Sequence, residues 1–400
     1  MSETDIAGDV PTLDVPVDSM APRTLKDRLD EGEPVTILDV RAESEFDEWH
    51  IDGPAADVHN IPYFEFIDGA DAAPMDAIPT GDPVVVVCAK GQSSEFVAGL
   101  IEKETAQDAV NLADGMNGWA DLYESREITR YDGSGTLLQY QRPSSGCLGY
   151  LLIEGESAAV IDPLRRFTDR YRDDADTRGA DLEYALDTHI HADHISGVRT
   201  LADGDVEGVL PEATTERPVA FESAVTLLAD GETMEVGDAT IEAIHTPGHT
   251  TGMTSYLLDD SVLLTGDGLF VESVARPDLE KGDEGAPDAA GQLYDSIQER
   301  ILTVDDDVVV AGGHASDTAE TAEDGTYTAT IGELTEEMEA LSLSKDEFVD
   351  LVLSDMPPRP ANYEDIIATN LGQQSIADDE AFRLELGPNN CATSEGSLRE

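Results

Sequence analysis

The densest chemistry in the chain is Thr188-His189-Ile190-His191-Ala192-Asp193-His194, three imidazoles and a carboxylate packed into one short run. Neutral imidazole and carboxylate are donors that suit zinc or ferrous iron. The chain has only eight histidines, so three this close exceed what a polar loop or a capping cluster needs. Three more candidates follow singly. In Thr246-Pro247-Gly248-His249 the Pro-Gly turn can aim His249 back toward the cluster. Thr265-Gly266-Asp267-Gly268 sets a carboxylate between two glycines, which lets backbone approach a metal closely. Gly312-Gly313-His314 repeats that arrangement. A lone histidine after a strand is usually structural, but together and in this order the residues read as a metal centre.

A second reactive element lies upstream. Cys88 follows the apolar run Val84 to Val87 and precedes Ala89-Lys90-Gly91-Gln92-Ser93-Ser94, where a helix is expected to begin. A thiol in a tight loop at a helix N-terminus faces backbone N–H groups and the positive end of the dipole, and both favour thiolate. An inward-pointing Lys90 would add to that field. The alternative is a buried structural cysteine at a strand end.

The elements that must position these residues fall into two patterns. Residues 1–20 read as a loose arm. Thr24 then caps a short helix with Leu25 and Leu29 on one face, and Gly32 ends it. Val35 to Val40 and Val84 to Val87 read as strands, and Ser94 to Lys103 as a helix with an apolar side. Strands alternating with helices imply an α/β domain over 21–126. Over 136–342 strands dominate, and most candidate ligands fall just after strand ends, where loops present chemistry. A helix is expected to start near His194. From Ile331 to Leu353 the pattern is helical, and 343–400 reads as a helical segment with a wrapping Pro-rich tail.

Composition bounds the rest. Apolar residues make up 40% of the chain, enough for two cores, and no apolar run is long enough to span a membrane. The acidic N-terminus does not resemble a secretory signal, so a cytoplasmic protein is expected. Three widely spaced cysteines, Cys88, Cys147 and Cys391, fit a reducing compartment better than a disulfide framework. The net charge is −63, with acids spread through patterned segments rather than gathered in a disordered tract. This implies a halophilic protein, whose self-repulsion is screened in a salt-rich cytoplasm. Nucleic acid and anionic membranes are excluded as partners by the same charge.

The order H-x-H-x-D-H, then histidine, aspartate and histidine, resembles the metallo-β-lactamase superfamily over Thr136 to Ser342. The resemblance implies an αβ/βα sandwich with metal between two sheets. Three segments resemble the persulfide dioxygenases within it. They are Cys147-Leu148-Gly149-Tyr150-Leu151 with Ile161-Asp162-Pro163, Gly266 to Phe270 with Ala275-Arg276-Pro277-Asp278-Leu279, and Pro357-Pro358-Arg359-Pro360 leading to Asn370. For that family the resemblance implies Fe(II) held by His189, His249 and Asp267, with His191, Asp193, His194 and His314 as supporting groups. It implies oxidation of a thiol persulfide by O₂ to sulfite and thiol. Arg276 is the expected contact for a substrate carboxylate. The competing resemblance is to zinc-dependent thioester hydrolases of the hydroxyacylglutathione type. There His189, His191 and His249 hold one ion, Asp193, His194 and His314 a second, and Asp267 bridges them. Enzymes of this type often pair, which makes a homodimer an open expectation.

Upstream, Asp39-Val40-Arg41, Glu43, Phe46, His50 to Gly53, Asn60 to Pro62 and Leu112 to Trp119 resemble the rhodanese domain, over about Ala21 to Arg126. This implies that Cys88 is a sulfurtransferase nucleophile on a loop made by Lys90, Gly91, Gln92, Ser93 and Ser94, with thiosulfate or sulfite as partners. Ser93 stands where the family often has arginine, so a sulfur carrier or docking module is the alternative. The expected fold is therefore an α/β rhodanese domain followed by a metallo-β-lactamase αβ/βα sandwich.

Overall fold

The computed structural model describes residues 13, 15–67, 74–202, 204–316, 319–354, 356–360 and 362–387. Cys391 and most of the expected N-terminal arm lie outside these residues. The chain forms two compact units, one of residues to Leu122 with Arg142–Ser145, the other of Tyr123–Gln141 with the remainder.

The first unit is built on Val84–Val87, four fully buried valines at the middle of a five-stranded sheet. Strand side chains alternate between faces. Val84 and Val86 accordingly pack with Phe96, Val97 and Ile101 of the helix Gln92–Glu104, while Val85 and Val87 pack with Leu25, Met116 and Trp119. A strand covered on both faces must be apolar on both. The strand order is Asp18–Met20, Ala109–Leu112, Val84–Val87, Val35–Asp39, Ala56–Asn60, and every pair is parallel. Two expectations change here. The arm does not extend to residue 20, because Asp18–Met20 pairs with Val110–Leu112 and completes the sheet edge. The first helix spans Pro22–Asp30 rather than being capped at Thr24, since proline in the first turn gives up no hydrogen bond there.

In the second unit a seven-stranded sheet faces a six-stranded one. The larger sheet carries Leu148–Glu154, Ser157–Ile161 and Asp181–Leu186 near its middle. The smaller carries Ala239–His245, Thr254–Leu258, Val262–Gly266 and Val309–Gly312. Residues from both inner faces, among them Leu152, Ile161, Leu186, Ile241, Tyr256 and Leu264, share one buried core. The outer face of the first sheet is covered through Tyr171 and Ala175 of the helix Thr168–Thr177. The other outer face is covered through Leu293 of Gly282–Ser296, Leu334 of Ile331–Glu337 and Phe348 of Lys345–Ser354. This is the expected four-layer αβ/βα sandwich.

Three local readings are corrected. The strand Glu124–Glu127 pairs with Leu138–Gln141, so the first domain stops before residue 126. No helix starts at His194. The chain stays irregular until Val198–Leu201, because side chains from residues 370 and 385 take up the loop's backbone groups. The tail also contains two helices, Tyr363–Asn370 and Asp378–Leu384.

Candidate metal centre and sulfur loop

The site lies at the carboxyl ends of four strands from both sheets. His189 to His194 follow Asp181–Leu186, His249 follows Ala239–His245, Asp267 follows Val262–Gly266, and His314 follows Val309–Gly312. All seven imidazole and carboxylate residues of the cluster and the three downstream motifs are buried. His189 Nε2, His249 Nε2 and Asp267 Oδ2 converge, with each imidazole nitrogen 3.7 Å from the carboxylate oxygen. All three atoms are buried without a hydrogen-bond partner. Three orphaned donors aimed at one point are what a metal ion would satisfy.

The opposite ring nitrogens explain the aim. His249 Nδ1 lies 2.8 Å from the Arg276 carbonyl, which can only accept, so the proton is on Nδ1 and the lone pair on Nε2. Thr188 Oγ1 donates to Asp162 Oδ2 at 2.9 Å and therefore accepts from His189 Nδ1 at 2.9 Å. Burial and then the charge of His191 push the His189 pKa well down, which keeps it in the neutral ligand form. Burial alone would raise Asp267, but the charge and hydrogen bond of His314 prevail and hold it well below the usual carboxylate range. The glycines earn their places by exclusion: a Cβ on Gly313 would come within 2.3 Å of Asp267 Oδ1.

The remaining candidates largely engage one another. Asp193 Oδ2 receives His194 Nδ1 at 2.8 Å, His314 Nε2 at 3.1 Å and the Cys147 thiol at 3.2 Å. His314 Nδ1 meets Asp267 Oδ1 at 2.9 Å. His191 Nε2 is 3.1 Å from Asp162 Oδ1. His191 Nδ1 and His194 Nε2 are buried without a hydrogen-bond partner.

One expectation fails. Arg276 was read as a substrate contact, but it is 1% exposed and its guanidinium is committed within the protein. Nε and Nη2 grip the two oxygens of Asp278 at 2.7 and 3.1 Å, and Nη1 donates to the Pro358 carbonyl at 3.0 Å. Arg359 Nε adds a bond to Asp278 at 2.6 Å. The segment joins the tail to the site and supplies the carbonyl that orients His249. Asp162, Thr188 and Asn370 are further contributors that spacing did not flag as such. Asn370 Nδ2 donates to the His191 and His194 carbonyls at 3.0 and 2.8 Å, and its Oδ1 accepts from Ser196 N. The Asp162–Thr188 contact goes with a left-handed φ of +50° at Asp162, which the sequence does not display.

In the first unit Cys88 is buried; its sulfur receives the Gly91 N–H at 3.1 Å and lies 3.1 Å from the Ser94 hydroxyl. Ser93 is buried beside it, whereas Lys90 and Gln92 are exposed. The expected inward charge from Lys90 is therefore spent in solvent. The loop is pinned by Met116 N to the Cys88 carbonyl at 2.8 Å and Asn117 N to the Ala89 carbonyl at 3.0 Å. A Cβ on Gly115 would strike the Cys88 carbonyl at 2.0 Å, so only glycine allows this approach.

The sandwich and its donor set define a metal-binding enzyme fold, and residues 144–314 match the metallo-beta-lactamase superfamily. Residues 21–122 match the rhodanese-like domain. Human mitochondrial persulfide dioxygenase ETHE1 is 30% identical over 254 residues, covering 62% of this chain and 92% of that protein. The crystal structure of ETHE1 from Myxococcus xanthus superposes with a TM-score of 0.51 at 27% identity, over 59% of this chain and 98% of that one. A metallo-beta-lactamase from Staphylococcus aureus gives 0.54 at 26%, over 60% and 74%. The chain belongs to the persulfide dioxygenase-like branch of the metallo-beta-lactamase superfamily and carries a rhodanese-like domain ahead of it.

Proposed function

We propose that the second unit is a persulfide dioxygenase using one ferrous ion at His189, His249 and Asp267. The observation that carries this reading is the convergence of three buried, partnerless donor atoms on one point. Two histidines and one carboxylate leave positions open for substrate and O₂. A ferrous ion there supplies the redox chemistry that O₂ needs. Per turnover one thiol persulfide, one O₂ and one water give one thiol, one sulfite dianion and two protons. The outer sulfur is oxidised and O₂ is reduced. The protein's own part is to aim Nε2 of His189 and of His249 at the ion through Thr188 and the Arg276 carbonyl, and to keep Asp267 ionised. Support for one ion over two comes from Asp193 Oδ2 and the two His314 nitrogens, which meet each other, Cys147 and Asp267.

We further propose that Cys88 is a sulfurtransferase nucleophile. The thiolate attacks the outer sulfur of thiosulfate, a new S–S bond forms, and the old one breaks with its electrons leaving on sulfite. Gly91 N–H and Ser94 support the anionic sulfur. The thiol carrier, the coupling of the two units and a salt-rich cytoplasmic setting belong to the same proposal.

The test is elemental analysis of protein purified without added metal, with O₂ uptake and sulfite release measured on a thiol persulfide. Iron at about one per chain with sulfite formation is expected. Zinc-only protein that cleaves a thioester and takes up no O₂ would falsify the dioxygenase reading. Separately, Cys88→Ser is expected to abolish thiosulfate sulfurtransfer, and equal activity would remove Cys88 from that role.

A further inference from the structure

A hydroxyl has one proton to give, and Ser94 has two acceptors competing for it. Its Oγ lies 3.1 Å from Cys88 Sγ and 2.7 Å from Asn111 Oδ1, with all three residues buried. Ser94 stands in the first turn of the helix Gln92–Glu104, and Asn111 in the strand Ala109–Leu112, so both are fixed by regular structure. We infer that Ser94 and Asn111 form a two-position switch that follows the charge on Cys88. While Cys88 is a thiol, Ser94 donates to Asn111 Oδ1. When the thiolate forms, the hydroxyl turns to the sulfur and the Asn111 bond is given up. When the sulfur carries a sulfane atom, the charge moves to the outer sulfur and the hydroxyl returns to Asn111. Ser94 thus touches the reacting atom, and Asn111 is a positioning residue that disfavours free thiolate and favours the loaded state.

The two neighbours must therefore act with opposite sign. Losing a hydrogen bond to a charged group is worth roughly one to two pKa units. Ser94→Ala is expected to raise the Cys88 pKa by about that much, and Ser94→Thr, which keeps the hydroxyl, to restore it. Asn111→Ala frees the hydroxyl for sulfur and is expected to lower the pKa by about half a unit, a fraction of that effect. Asn111→Leu, closer in volume, should do the same. Other titratable groups on the surrounding elements are Lys90, Glu65, Asp76, Asp114, Glu95, Lys103 and Glu104, all exposed, and the half-buried Glu102, with Tyr63 and the Asp39–Arg41 pair. They are common to every variant and cancel in the comparison.

The measurement is the ultraviolet absorbance of the thiolate against pH in the full-length protein, read as the difference from Cys88→Ser. Opposite shifts support the switch. Shifts of the same sign, or none from either position, overturn it. The inference rests on Cys88 as the nucleophile only for its purpose. The titration is read without turnover, so loss of sulfurtransfer and failure of the switch are separate results.

Discussion

At the scale of single residues, Arg276 separates two accounts of the same sequence. As a substrate contact it would sit at the pocket with its guanidinium open. In the structure it makes a buried two-pronged bond to Asp278 and reaches Pro358. Removing one partner of a buried pair costs about 3–5 kcal/mol, because the other charge is left behind. Here Arg359 still reaches Asp278, so the lower end is expected for Arg276→Ala. Lysine cannot reproduce a planar fork, and Arg276→Lys should recover little of the loss. Thermal or urea unfolding checks this. Retained stability with a raised KM alone would return Arg276 to substrate binding. A companion prediction concerns Asp267. Asp267→Asn removes the only carboxylate of the converging trio, and the purified protein should hold far less than one metal ion per chain by elemental analysis.

At the scale of elements, the metal loop and the tail behave as one piece. Apart from one bridge of Ser196 to Leu164, the loop from His189 to Ser196 has no ladder or helix of its own to satisfy its backbone. Asn370 supplies three hydrogen bonds to it, and Glu385 accepts from Ile195 N at 2.9 Å. Unmade buried hydrogen bonds cost roughly 1–3 kcal/mol each. Asn370→Ala breaks three such bonds and is therefore expected to lower the unfolding free energy by about 3 kcal/mol or more and to speed metal loss to a chelator several-fold. Unchanged metal retention would separate the tail from the site. The helix Ile331–Glu337 offers a pH prediction. Glu333 accepts from Arg130 and caps its own helix with Thr330, and these bonds bring its pKa down to about 2. A depressed carboxylate stabilises the fold above its unfolded pKa, and the gain is lost as pH falls through about 2. The pair is half exposed, so the effect is small. Acid titrations of wild type and Glu333→Gln should differ above about pH 4.5 and converge near pH 2. Much of this was legible in sequence. The four valines announced a buried parallel strand, and H-x-H-x-D-H with its three followers announced the centre. The clasp was not legible, because Asn370 and His194 are brought together only by the fold. Nor was the fate of Arg276, since a buried ion pair and an anion contact use the same residue type.

At the scale of the whole molecule, charge decides the conditions under which the site exists. The chain carries 86 acidic against 23 basic residues. Exposed helix turns carry many of these acids, as at Asp378, Asp379 and Glu380 opening one tail helix. The cores of both sheets are by contrast built from valine, leucine, isoleucine and alanine of ordinary kind. The fold is thus held by burial and opposed by its surface. Unfolding lets like charges separate, so repulsion acts against the native state wherever it is unscreened. The Debye length is about 30 Å at 0.01 M salt, comparable to a domain, and about 3 Å at 1 M, comparable to a single contact. Between those limits the repulsion changes from a property of the whole surface to one of adjacent pairs. The melting temperature is expected to climb steeply with potassium chloride over this range and then to flatten. A non-ionic osmolyte at matched osmotic strength should give a much smaller rise, since it screens nothing. Equal melting temperatures at 0.01 M and 1 M salt would show that specific contacts, not the surface field, set the stability, and the salt-rich setting would lose its physical basis.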